Sequence, residues 1–93
     1  MKTPLLAGDE IARRLAELPG WQRSGDAIRR TYELPAFKDA IAFVGRVAEA
    51  ADAADHHPDI LIEYRKVTLT LSTHDSGGLT ALDFDLASTI DQR

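Results

Sequence analysis

Residues 66–74 read Lys66-Val67-Thr68-Leu69-Thr70-Leu71-Ser72-Thr73-His74, and their alternation decides the fold class. Val67, Leu69 and Leu71 recur with period two against Thr68, Thr70 and Ser72, the pattern of a strand buried on one face only. His74 keeps the parity of the polar set, so it is expected to emerge on the face that carries Thr68, Thr70 and Ser72. A half-buried strand needs a covering layer, and the candidate lies upstream. Phe37, Ala40, Ile41, Val44, Val47, Ala48 and Ala51 recur at i, i+3, i+4 and i+7, with Lys38, Asp39, Arg46 and Glu49 mostly on the other side. This predicts a long amphipathic helix opened by Pro35 and ending near Asp52 to Asp55. Pro58 blocks any continuation, because the residue before a proline is pushed out of helical geometry.

The remaining elements follow by the same reading. Ile60 to Tyr64 forms a strand beside the one that runs from Lys66 to Thr73. Ile11, Leu15 and Leu18 predict a short helix over Gly8 to Glu17, with Asp9 serving its N-terminal end and Pro19-Gly20 stopping it. Trp21-Gln22-Arg23 and Ile28 to Leu34 flank the turn triplet Ser24-Gly25-Asp26, so a hairpin is expected. After the loop Asp75-Ser76-Gly77-Gly78, a last helix starts at about Thr80, with Leu82, Leu86 and Ile90 spaced by four. The order α-β-β-α-β-β-α makes an α+β protein with helices packed on an antiparallel sheet. With 93 residues it is expected to be a single domain over 1–93, since two halves would be too small to bury useful cores.

Apolar residues are 44% and charged residues 28% of the chain, the mix of an ordinary globular protein. There is no cysteine, which excludes disulfides and thiolate metal sites. A small domain without such staples gains buried area by self-association, so a homodimer or homotetramer is expected. The net charge of -4 argues against direct nucleic-acid binding. No stretch approaches the ~20 apolar residues of a membrane span, and Met1 to Ala12 lacks a signal pattern. The expected location is cytoplasmic.

All three histidines lie between positions 56 and 74. His56 and His57 are adjacent in the irregular stretch between helix and strand, where the backbone is free to aim side chains. Asp52 precedes His56 by four residues and shares its face if the helical turn persists. Asp52 and Asp55 sit near a helix C-terminus, where the macrodipole disfavours negative charge, so a partner for them is expected. Each feature also has a plain alternative. A His-His pair after a helix is often only surface polarity, and His74 at a strand exit can simply be solvated. Thr80-Ala81-Leu82-Asp83 fits a helix capping box, a structural role for Asp83. Tyr64 and Trp21 are more often core or edge aromatics than ligand platforms.

Taken together, the spaced pattern Asp52, His56-His57-Pro58, Tyr64, His74 and Asp83 resembles the signature of the pterin-4a-carbinolamine dehydratase family. That signature runs from an acidic or basic residue through His, His or Asn, Pro, an aromatic and His or Trp to Asp. Phe37-Lys38-Asp39, Leu71-Ser72-Thr73-His74 and Gly78-Leu79 are also similar to family sequence. The resemblance implies a four-stranded antiparallel sheet with three helices on one face, assembled as dimers and often tetramers. It implies dehydration of a 4a-hydroxytetrahydropterin to the quinonoid dihydropterin, in tetrahydrobiopterin recycling beside an aromatic amino-acid hydroxylase. His56 and His74 are then the acid–base pair and His57 grips the pterin. Asp52 sets His56, Asp83 helps place the site, and Thr73 joins Asp52, His57 and His74 in contacting substrate. Imidazole suits the chemistry because it gives or takes protons near neutrality; the reaction involves no redox change, so no cofactor and no metal is expected.

Two other classes compete. His56, His57, His74 and Asp83 supply four candidate metal ligands, although adjacent loop histidines tend to diverge from one tetrahedral ion. Animal proteins similar to this chain also act as a dimerisation cofactor for a homeodomain transcription factor, and the acidic charge permits a protein partner of that kind.

Overall fold

The computed structural model describes residues 2–92. Helix α1 covers Gly8–Leu15, strands β1 and β2 cover Gln22–Ser24 and Ala27–Glu33, and helix α2 covers Phe37–Ala54. Strands β3 and β4 cover Asp59–Glu63 and Lys66–Leu71, a single 3-10 turn covers His74–Ser76, and helix α3 covers Ala81–Asp91. The strands form one antiparallel sheet in the order β1-β2-β4-β3, so the strand with the clearest alternation lies inside the sheet. The expected α+β order is therefore observed.

Register explains which side is covered. Ile28 pairs with Leu71, Arg30 with Leu69 and Tyr32 with Val67; Ile60 pairs with Leu69 and Ile62 with Val67. Val67, Leu69, Leu71 and Ile28 are fully buried under the helices, each such side chain contributing roughly 1.5–3 kcal/mol of burial. On the opposite face Thr31 and Thr68 pair and share a 2.8 Å hydroxyl–hydroxyl hydrogen bond. The hairpin loop is the pair Gly25-Asp26 between Ser24 and Ala27, with Gly25 at φ 61°, a conformation glycine takes without a Cβ penalty.

Helix faces differ from the periodic reading. On α2 the buried side chains are Ala40, Phe43, Val47, Ala50 and Ala51, whereas Phe37, Ile41 and Ala48 of the expected stripe are exposed. The apolar arc is wider than the surface it must cover: α2 packs on α3 and β4, and that contact selects the 40-43-47-50-51 side. On α3, Leu86 and Ile90 are buried as expected, but Leu82 is exposed and Asp83, Phe84 and Ala87 take the interior. Among the described residues no helix is long and apolar enough to cross a membrane.

Candidate active site

The site begins where α2 stops. Asp55 adopts a left-handed conformation (φ 49°, ψ 43°). The amide of His56 then donates to the carbonyl of Ala51 at 3.1 Å, and that of Asp55 to Asp52 at 3.2 Å. This paired closure is a Schellman ending. It reverses the chain so that His56 points at the start of α3 instead of continuing the helical face. The expected pairing of Asp52 with His56 is therefore corrected. His56 Nε2 lies 2.6 Å from Asp83 Oδ1, while Asp52 Oδ1 lies 3.0 Å from His57 Nε2. The i, i+4 relation fails because the left-handed residue intervenes between positions 52 and 56.

The two pairs sit in different media. Asp83 is completely buried and the His56 side chain is 11% exposed, whereas the side chains of His57 and Asp52 are 59% and 78% exposed. Asp83 has three partners. Its Oδ1 faces His56; its Oδ2 accepts from the Thr80 amide at 3.0 Å and from the Thr73 hydroxyl at 2.9 Å. The capping box read in the sequence is present, with Leu82 N–H donating to the Thr80 hydroxyl at 3.2 Å. One carboxylate thus serves as helix cap and as histidine partner, so the structural and functional readings of Asp83 are compatible.

His56, His57 and His74 line one open cleft of about 870 Å³ together with Ser72, Thr73 and Leu82, and Lys2 and Thr3 lie along its wall. A smaller hollow of about 320 Å³ shares His57, Ser72 and His74 and extends past Thr70 and Asp59. The strand ends at Leu71 and His74 opens the 3-10 turn, yet His74, Thr70 and Ser72 line the same hollow. Thr73 is buried and its hydroxyl is engaged by Asp83 and Thr80. Tyr64 does not join the site; it is exposed at the β3–β4 turn with φ 56°. Among the described residues no three His, Cys, Asp or Glu side chains gather as a metal-holding group; His56 and Asp83 instead engage each other.

A family profile described as Pterin 4 alpha carbinolamine dehydratase matches residues 4–93. The chain belongs to this family. It is 61% identical over 88 residues to a provisionally named pterin-4-alpha-carbinolamine dehydratase of Roseiflexus castenholzii, covering 95% of each chain. It is 58% identical over 92 residues to a protein of the same provisional name from Nocardia farcinica, covering 99% of this chain and 97% of that one. The crystal structure of a transcriptional coactivator/pterin dehydratase from Brucella melitensis superposes with TM-score 0.91 at 33% identity, covering 96% and 97%. A pterin dehydratase-like protein identified as a RuBisCO assembly factor in the alpha-carboxysome shares the fold, with TM-score 0.63 at 18% identity over 77% and 83% of the chains.

Within this dehydratase-family chain, sequence reasoning placed the three histidines in one region and the structure brings them to one cleft. It missed Ser72, Leu82, Lys2 and Thr3 as cleft residues, and it gave Thr80 only a capping role. Thr73 was named by resemblance as a substrate contact, and its parity also carries a signal for its inward partners. That residue continues the parity of Val67, Leu69 and Leu71, which directs it inward toward α3.

Proposed function

We propose that this chain dehydrates a 4a-hydroxytetrahydropterin by proton transfer through its cleft histidines, in tetrahydrobiopterin recycling beside an aromatic amino-acid hydroxylase. The observation that carries the reading is the buried Asp83–His56 pair at the wall of a cleft that also contains His57 and His74. An imidazolium gives its proton to the 4a-hydroxyl as the C4a–O bond breaks and water leaves. The nitrogen lone pair at N5 forms the C4a=N5 bond, and a neutral imidazole accepts the N5 proton. Protons and electrons balance without any redox partner. His56 and His74 are assigned the two transfers. His57, held by Asp52, is assigned the grip on the pterin ring, with Asp52 and Thr73 contributing to the substrate wall. General acid–base action of this kind accounts for roughly 10²–10⁴ in rate. The expected result is accelerated dehydration by purified protein with no added cofactor, undiminished by chelator. Activity that vanishes on chelation and returns with zinc would transfer the case to a metal mechanism.

The same reading includes a homodimer or homotetramer. Phe37, Ile41, Ile60 and Leu61 remain 51%, 46%, 38% and 52% exposed, and Ile60 and Leu61 lie on the sheet-edge strand β3. Exposed apolar edges of this kind favour association. Light scattering at micromolar concentration is expected to return at least twice the chain mass; a stable monomer would refute it.

A further inference from the structure

The hydrogen-bond directions around Asp83 can be followed to their end. A hydroxyl has one proton to give. Thr73 gives its proton to Asp83 Oδ2, so in the 2.8 Å contact between Thr73 and Thr80 hydroxyls the donor is Thr80. Thr80 Oγ1 in turn accepts from Leu82 N–H. With Oδ2 already holding the Thr73 hydroxyl and the Thr80 amide, the carboxylate offers Oδ1 to His56 as an acceptor. His56 Nε2 must therefore carry the hydrogen, and in the neutral ring Nδ1 holds the lone pair. Nδ1 has no partner among the described residues, and no buried side-chain nitrogen or oxygen lacks one, so this atom is open to the cleft that the ring lines.

We propose that Thr80 and Thr73 are positioning residues that act through Asp83 to hold His56 as the Nε2–H tautomer, leaving Nδ1 as the atom that exchanges protons with substrate. The inference deepens the dehydratase reading and rests on it only for the consequence in turnover. In this relay the donors run from Thr80 at the start of α3 to Thr73 at the strand exit to the carboxylate, and His56 donates to the same carboxylate from the other side. Its members are buried: Thr80 and Asp83 are 0% and Thr73 is 6% exposed, so water does not compete to reorient them. A carboxylate that fixes an imidazole tautomer is a general device of acid–base sites. Here the carboxylate is itself oriented by two hydroxyls.

The test reads the tautomer and the kinetics separately. Nitrogen-15 chemical shifts and couplings of the His56 ring in the wild-type protein are expected to show hydrogen on Nε2; hydrogen on Nδ1 would overturn the proposal without any variant. Thr73→Val keeps the shape and removes the donor. It is expected to produce mixed His56 tautomers and a fall in kcat of about 10–100-fold, the usual effect of losing such an outer partner. KM should change much less, and the pH profile of kcat should move. Thr73→Ser is expected to restore both the tautomer and most of the turnover. Thr80→Ser keeps cap and relay, whereas Thr80→Val loses both, so only the latter should alter the ring signal. A folded Thr73→Val protein with unchanged tautomer, kcat and pH profile would sink the relay. A relay confirmed by the ring signals in a protein with no dehydratase activity would support the positioning network and refute the function.

Discussion

The two ends of α3 present the same device with different consequences. Asp83, at the N-terminal end, collects the His56 ring nitrogen, the Thr73 hydroxyl and the Thr80 amide. Asp91, at the C-terminal end, collects Trp21 Nε1 at 2.9 Å, Arg30 Nη1 at 3.1 Å and the Tyr32 hydroxyl at 2.5 Å. The first carboxylate sits where the helix dipole favours negative charge; the second sits where it does not, and the Arg30 guanidinium offsets that. What separates a site from a clasp is not the carboxylate. It is whether one of its donors can exchange a proton with a cleft. His56 can. The donors of Asp91 tie the hairpin and the chain after α1 to the last helix, and Arg30 also bonds the Pro19 carbonyl and stacks 4.5 Å over Tyr32.

The largest effect should come from removing the exchanging group. His56→Ala is expected to lower kcat by about 10²–10⁴ with a smaller change in KM, measured by steady-state dehydration kinetics. Asp83→Asn should follow closely. An asparagine that keeps its oxygen toward Thr73 and Thr80 turns an amide donor toward His56 Nε2 and forces the opposite tautomer. The cap therefore survives while turnover falls. Asp91→Ala is expected to reverse that pattern, costing about 1–3 kcal/mol in denaturant titration with kcat intact. Equal losses of turnover at Asp83 and Asp91 would erase the distinction. Smallest of these, Asp52→Asn should change stability by no more than about 1 kcal/mol, because its pair with His57 is open to solvent.

Alkaline unfolding sharpens the clasp end. Burial, then the hydrogen bond and charge of Asp91, push the Tyr32 hydroxyl well above the ordinary phenol value, against the opposing influence of Arg30 and Trp21. The folded state therefore favours the neutral phenol. Its contribution is fully present below the unfolded value of about 10 and is lost as pH rises from there through the folded value. A fall in Tm above about pH 10 is expected, and Tyr32→Phe should make that fall shallower. An identical pH dependence in both proteins would show that Tyr32 is not coupled to the clasp.

How far the sequence could be read differs between the sheet and the site. The alternation in 66–71 was legible because a strand half-covered by helices must place apolar residues at every second position. The long helix was legible in extent but not in orientation. Phe37, Ile41, Val44 and Ala48 fit the same period as the buried set, and periodicity cannot say which part of a wide apolar arc meets α3. The histidines were legible as a cluster because all three lie within nineteen positions, 56 to 74, of a chain with no others.

By itself the sequence determined the element order, the family and the residue types available for proton transfer, because these depend on local spacing and short-range pattern. Tertiary structure alone decided the partnerships. Asp52 and His56 are four apart in sequence, but a left-handed Asp55 separates them, and His56 crosses 27 positions to reach Asp83. That choice rests on desolvation. A carboxylate enclosed by the first turn of α3 must satisfy its oxygens with whatever donors the fold brings to it, whereas an exposed Asp52 has water as an alternative. Burial, which no spacing rule reports, made Asp83 the residue that orients His56.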